Sequence, residues 1–175
     1  LLVVGVLLLR PNNPPAPAPI PPAATATVPA AQQQAAADTE KVLRAWLANY
    51  SKAYSTFDAA QWDASLATPD VVAAAKANLD NLRPSAAAVG ATGKYMADIR
   101  DIVVGHYATD KVTLTVCALR DVRFIKDGQD ITITRDGKPA PMSTQAMWQD
   151  TEFTKTGDTW KISAFQLDPE QGAPC

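Results

Sequence analysis

From Lys111 to Cys175 the chain runs through short stretches of alternating apolar and polar residues, separated by Asp-Gly and Gly-Asp pairs. Such a pattern restricts the fold more than any other feature, because period-two alternation broken by tight turns reads as an antiparallel sheet. The cleanest stretch is Lys111 to Arg120, with Val112, Leu114 and Val116 on one face and Thr113 and Thr115 on the other. Val122, Phe124 and Ile125 continue or restart it. Asp127-Gly128 and Asp136-Gly137 read as hairpin turns, with a short strand carrying Ile131 and Ile133 between them. A long strand is expected over Met142 to Lys155, and Gly157-Asp158 turns it into a last strand over Thr159 to Leu167.

The chain has 2 cysteines, one within the sheet pattern and one at its last residue. Two unrelated buried thiols are one reading. A thiol on the loose tail that ends in Cys175 would, however, be exposed and reactive, whereas a bond ties that end down. A Cys117–Cys175 disulfide is therefore the expected pairing. By alternation Cys117 points away from Val116, which places the bond on the outer face or the rim of the sheet.

Ahead of the sheet the apolar spacing changes to three and four. Leu43, Trp46, Leu47, Tyr50, Tyr54 and Phe57 form one stripe of a helix expected to start near Asp38, which would cap its first turn. A short helix over Ala59 to Leu66 with Trp62 facing inward should follow, then a third over Val71 to Leu82 that stops ahead of Pro84. Gly90 and Gly93 mark the passage from helix to sheet. Tyr95, Ala97 and Ile99 alternate before Asp101 to Val104 breaks the phase, a sign of a β-bulge.

The first residues are of another kind. Residues 1–10 read as nine apolar residues stopped by Arg10, too short alone for a span of about 20. The start at Leu rather than Met suggests a missing upstream part. The segment is the end of a transmembrane anchor or the apolar region of a cleaved signal peptide. Arg10, without a small-x-small site before the prolines, favours the anchor. Residues 11–37 hold eight of the 14 prolines among alanines and threonines, an extended spacer reaching on the order of 60 Å. That leaves 38–175 as one α+β domain, lying outside the membrane, where disulfides persist. From Asp38 onward the chain carries 15 bases and all 18 acids. No basic footprint for nucleic acid is present, and none is expected as partner.

Helices followed by a strongly curved antiparallel sheet of four to six strands resemble the nuclear-transport-factor-2-like, cystatin-like cone. The second half is also similar to small exported domains of actinobacteria. There a strand ending in Cys, a turn-rich insertion, a long strand, Gly-x-x-Trp-x-Ile and a terminal Cys recur, here Val116-Cys117, Asp127 to Lys138, Thr144 to Lys155, Gly157 to Ile162 and Cys175. The resemblance covers about 38–175 and implies a bonded cysteine pair. It also implies a scaffolding role without chemistry, such as that of Mce-associated or conjugation-accessory domains of the cell envelope. In this chain Ala118-Leu119-Arg120 separates Cys117 from the first acid, Asp121, where such domains often have an acid sooner.

No phosphate loop, zinc spacing, nucleophile elbow or twelve-residue calcium loop is present. Neither metal nor cofactor is expected. His106, the single histidine, reads as a surface or structural residue. The cone does support enzymes with one carboxylate in an apolar pocket and a tyrosine donor. Asp58, Asp63, Asp98 and Asp101 beside Tyr50, Tyr54 and Tyr95 are the residues from which such a site could be built. The leading expectation is instead a non-catalytic, membrane-tethered accessory domain that engages an envelope protein or its own copy through the sheet face. The alternative is a cone that binds a small apolar molecule, lined by Trp46, Tyr50, Trp62 and Trp148.

Overall fold

The computed structural model describes residues 28–134, 136–166 and 172–175. Two helices pack on a strongly curled antiparallel sheet of six strands that forms a half-barrel, the α+β cone expected from the order of the elements. The expected anchor, and most of the proline-rich spacer, lie outside the described residues. Among those residues no helix is long and apolar enough to cross a membrane.

Helix α1 covers Ala30–Thr56 and so begins eight residues earlier than Asp38. Ala30 to Ala37 is alanine and glutamine, both good helix formers, and Pro29 supplies the first boundary. Of its stripe, Leu43, Trp46, Tyr50, Tyr54 and Phe57 are buried, joined by Ala53, while Leu47 is half-buried at the edge of the core. The helix ends at Phe57, held in the left-handed region at φ 50°. For a non-glycine residue this costs about 1 kcal/mol, and burial of the ring against Phe124, 5.8 Å away, offsets it.

In place of one short helix there are two 3-10 turns, Ala59–Gln61 and Ala64–Leu66, with Trp62 buried between them. Asp58 and Asp63 each accept a backbone N–H two residues on, from Ala60 and Ser65, and this fixes the starts of the turns. Helix α2, Pro69–Val89, does not stop before Pro84 but includes it. Pro84 is exposed, so the hydrogen bond it removes, to the Asp80 carbonyl one turn back, is lost on the solvent side, where water can replace it. Ala86, beyond the proline, is buried, and Gly90 at φ 66° closes the helix.

Strands β1 (Thr92–Tyr107) and β2 (Lys111–Lys126) form a long hairpin whose register slips between Ile99 and Asp101 and again between Val104 and His106. The first slip is the bulge expected from the broken phase. The Asp127-Gly128 turn, with both residues at positive φ, leads into the two-residue β3, Gln129–Asp130. Strands β4 (Met147–Thr156) and β5 (Thr159–Phe165) complete the order β1-β2-β4-β5, and β6 (Ala173–Pro174) continues the β5 side along β4.

Cys117 and Cys175 are bonded. Cys117 pairs across the sheet with Trp148 and alternates with the core residues Val116 and Ala118, so the bond sits on the outer face as the alternation required. Gly172 lets the returning chain lie against the Trp148 carbonyl, where a Cβ would collide.

Two strand expectations are corrected. Ile131 and Ile133 do not form a strand; Ile133 makes one isolated bridge, to Pro139. The long strand begins at Met147 rather than Met142. The cause is the same for both. β4 pairs β2 only as far as Ala118, and beyond β3 the chain meets the vacant edge of β2 through single bonds, such as Ile131 N–H to the Phe124 carbonyl, rather than through a ladder. Side chains of Asp130 and Thr132 bond the backbone there instead.

Candidate functional site

Where β4 stops, the cone is open. The helices, the far half of β2 and the excursion 131–146 enclose a cleft of about 710 Å³. Its floor is aromatic. Tyr50 and Tyr54, one helical turn apart on α1, stack at 5.2 Å, and Tyr95 from β1 lies 4.9 Å and 5.7 Å from them. The approach of α1 to β1 that brings them together depends on Gly93, where a Cβ would meet the Tyr54 carbonyl, and on a Ser51 hydroxyl donating to the Tyr95 carbonyl. Leu82, Val122 and Phe124 line the sides.

The Tyr54 hydroxyl accepts from the Asn78 amide at 2.9 Å. Those of Tyr50 and Tyr95 are buried without a hydrogen bond of normal geometry. Burial pushes all three phenols up, Tyr54 to about 12. For Tyr95 the neighbouring Arg120 guanidinium acts in the opposite direction. All three are thus neutral hydroxyls at ordinary pH. Arg120 is itself buried, over the Phe165 ring at 5.1 Å, donating to the Gln166 carbonyl and to Gln149.

The outer wall is held by Arg123. Its Nε donates to Asp130 at 2.7 Å, and its two terminal nitrogens donate to the carbonyls of Pro141 (3.0 Å) and Ala140 (2.8 Å). Asp121 lies 3.6 Å from the same guanidinium and accepts from the Ser143 amide. Phe124 N–H donates to the Thr132 hydroxyl, and Ile131 N–H to the Phe124 carbonyl. One side chain from β2 therefore draws both limbs of the excursion against the edge that β4 leaves vacant.

Three of the four residues expected to line a pocket come together. Trp46 is 5.9 Å from Tyr50 and 5.1 Å from Trp62, and Tyr50 is 4.6 Å from Trp62. The two tryptophans are core beneath the floor, and Tyr50 is the one that reaches the cleft. Trp148 lies on the other face of the sheet, across from Cys117. Tyr54 and Tyr95 complete the floor.

The four aspartates considered with the tyrosines are engaged elsewhere. Asp58 and Asp63 cap the 3-10 turns, and those hydrogen bonds hold their carboxyls below the usual range. Asp98 is exposed beside Arg100, and Asp101 accepts from the next backbone amide. His106 is exposed at the second bulge. Among the described residues no cluster of three metal-ligating side chains occurs. Sequence reasoning missed Arg123, although a cation inside the apolar run Val122 to Ile125, with acids at Asp121 and Asp130, was the visible signal.

No protein-family model and no curated protein matches the chain. Similar solved structures include two at low identity. One is an uncharacterized protein with a cystatin-like fold from Caulobacter vibrioides, at 14% identity and a TM-score of 0.42 over 71% of this chain and 84% of that one. The other is a proposed aromatic ring hydroxylase from Novosphingobium aromaticivorans, at 12% identity and 0.40 over 73% and 85%. Likeness at this level carries no argument about what the present chain does.

Proposed function

We propose that this is an exported domain whose open cone binds a small, largely apolar molecule without transforming it. The carrying observation is the cleft over the Tyr50–Tyr54–Tyr95 floor: its volume falls within the range of about 300–1,000 Å³ common to small-molecule sites, and Leu82, Val122, Phe124 and Ile133 make its lining more apolar than polar. Two observations support binding over chemistry. Asp58 and Asp63 are held ionised as caps, and Asp121, the carboxylate at the cleft, already accepts from a backbone amide beside Arg123. The disulfide supports an extracytoplasmic setting. With the apolar start of the sequence, it fits a membrane-tethered domain facing outward.

A test is to fill the cleft. Val122→Trp adds bulk at a half-buried position on its side, and should abolish uptake of a neutral fluorescent apolar probe while the urea midpoint changes little. Probe binding that survives the substitution would contradict the reading.

The accessory role in an envelope complex stands as a second reading. Ile133 and Met142, both more than half exposed on the excursion, favour a protein contact at the rim of the cleft. The outer sheet face fits such a contact less well, since Thr113, Thr115, Asp150 and Glu152 lie there and Thr115 is bonded to Asp150. Crosslinking in the native envelope, with and without charged substitutions at these two residues, distinguishes the rim from the sheet.

A further inference from the structure

Every charged group at the cleft is already engaged. The donors of Arg123 go to Asp130, Ala140 and Pro141, and the oxygens of Asp121 go to the amides of Val122 and Ser143 beside that guanidinium. A charged ligand would have to break these bonds or enter without a countercharge, and either is costly. What remains for a ligand is apolar surface and the phenols of the floor: Tyr54, which accepts from Asn78, and Tyr50 and Tyr95, whose buried hydroxyls lack a hydrogen bond of normal geometry. The Thr132 hydroxyl accepts from Phe124 N–H and is itself bonded to Asp130.

The same bonds give Arg123 a second consequence. Among the described residues of 132–141, nothing in the strand ladder holds the chain against β2, because β3 ends at Asp130 and β4 pairs only up to Ala118. Between the Ile131 bond to Phe124 and the Ser143 bond to Asp121, the position of the wall, and so the width of the cleft, depends on this side chain and on Thr132.

We propose that Arg123 is the positioning residue that determines what the cleft accepts: it sets the wall in place and leaves no free charge facing the ligand, which is therefore an uncharged, largely apolar molecule able to hydrogen-bond the neutral phenols of the floor. This rests on the ligand-binding reading above.

The test uses a matched pair of probes, phenylnaphthylamine and its sulfonate, titrated by fluorescence into the oxidised protein. We expect the neutral probe to bind at least about tenfold more tightly, a difference of ~1.4 kcal/mol. Arg123→Met should weaken the neutral probe by a similar factor and make the 131–141 segment sensitive to protease in the absence of ligand. Asp130→Asn, which removes one of the bonds at a partly exposed position, should do the same to a lesser degree with the fold intact. Near-ultraviolet circular dichroism of the core aromatics checks that the fold survives. Equal or tighter binding of the sulfonate, or unchanged affinity and protease resistance in both variants, overturns the proposal and leaves the ligand reading standing. If neither probe binds the unaltered protein, the ligand reading itself falls, and this proposal with it.

Discussion

Gly93→Ala tests the packing on which the cleft floor depends. Gly93 is buried at the start of β1, and a Cβ built there would strike the Tyr54 carbonyl oxygen and come within 2.8 Å of the Phe57 ring. The first obstacle is backbone, at the last turn of α1, and cannot rotate aside. The ring can yield only by giving up its stacking on Phe124. α1 must therefore move from β1, loosening the Ser51–Tyr95 hydrogen bond and parting Tyr54 from Tyr95. Overpacking of this kind costs roughly 1–3 kcal/mol, and a backbone obstacle places this case in the upper half. Gly90→Ala is the control: its Cβ would have open space, so its cost is the left-handed φ of 66° alone, about 1 kcal/mol. Urea unfolding followed by tryptophan emission measures both, and Gly93→Ala should be the more destabilising by about 1–2 kcal/mol with weaker probe binding. A Gly93→Ala variant no less stable than Gly90→Ala, with binding unchanged, would refute the claim that this close approach builds the floor.

Three further outcomes follow from the structure. Breaking the disulfide, by reductant or by Cys117→Ser with Cys175→Ser, should lower stability by at most about 4 kcal/mol on the loop-entropy estimate, read as a shift in urea midpoint. The 58-residue separation of the cysteines sets that ceiling. Trp46→Ala, at a fully buried ring in contact with Tyr50, Trp62 and Phe165, should cost about 3–5 kcal/mol in the same assay. The carboxyl of Asp130 is depressed to about 2, by hydrogen bonds from Thr132 and then by Arg123. Its contribution to holding the wall is fully present above the unfolded carboxylate value near ~3.9 and is lost as pH falls through about 2. Protease sensitivity of the excursion should thus rise only in strong acid, and Asp130→Asn should remove that dependence.

Much of this could be read from the residues, for physical reasons that differ by element. Val112 to Val116 alternates because one face of β2 is core and the other is not, and the Asp127-Gly128 turn needs two positive φ values that Asp and Gly tolerate. The disulfide was legible because a loose end with a thiol has few quiet alternatives. Pro84 misled because helix-breaking is a local rule, and α2 keeps its exposed proline at the loss of one solvent-side bond while Ala86 packs on the core beyond it. Ile131-Thr132-Ile133 has the alternation of a strand but makes no ladder: after Ile131 N–H bonds the Phe124 carbonyl, the Thr132 side chain takes the Phe124 N–H, which no local pattern records. The cleft lies in the gap where β4 ends. Tyr50 was identified by its place on the helical stripe, but Trp46 and Trp62, equally aromatic, proved to be the packing beneath it. Arg123 stood out as a cation inside an apolar run, but the backbone carbonyls it holds lie 17 and 18 residues further along, and no local pattern records that pairing.

The most direct measurement is native mass spectrometry of the protein recovered from an oxidising compartment, before and after extraction with organic solvent. The expected result is a species two hydrogens lighter than the reduced chain and carrying one small additional mass, which solvent removes and Val122→Trp prevents. A chain that never carries or takes up a small molecule, and that assembles with a partner through Ile133 and Met142 instead, would contradict it.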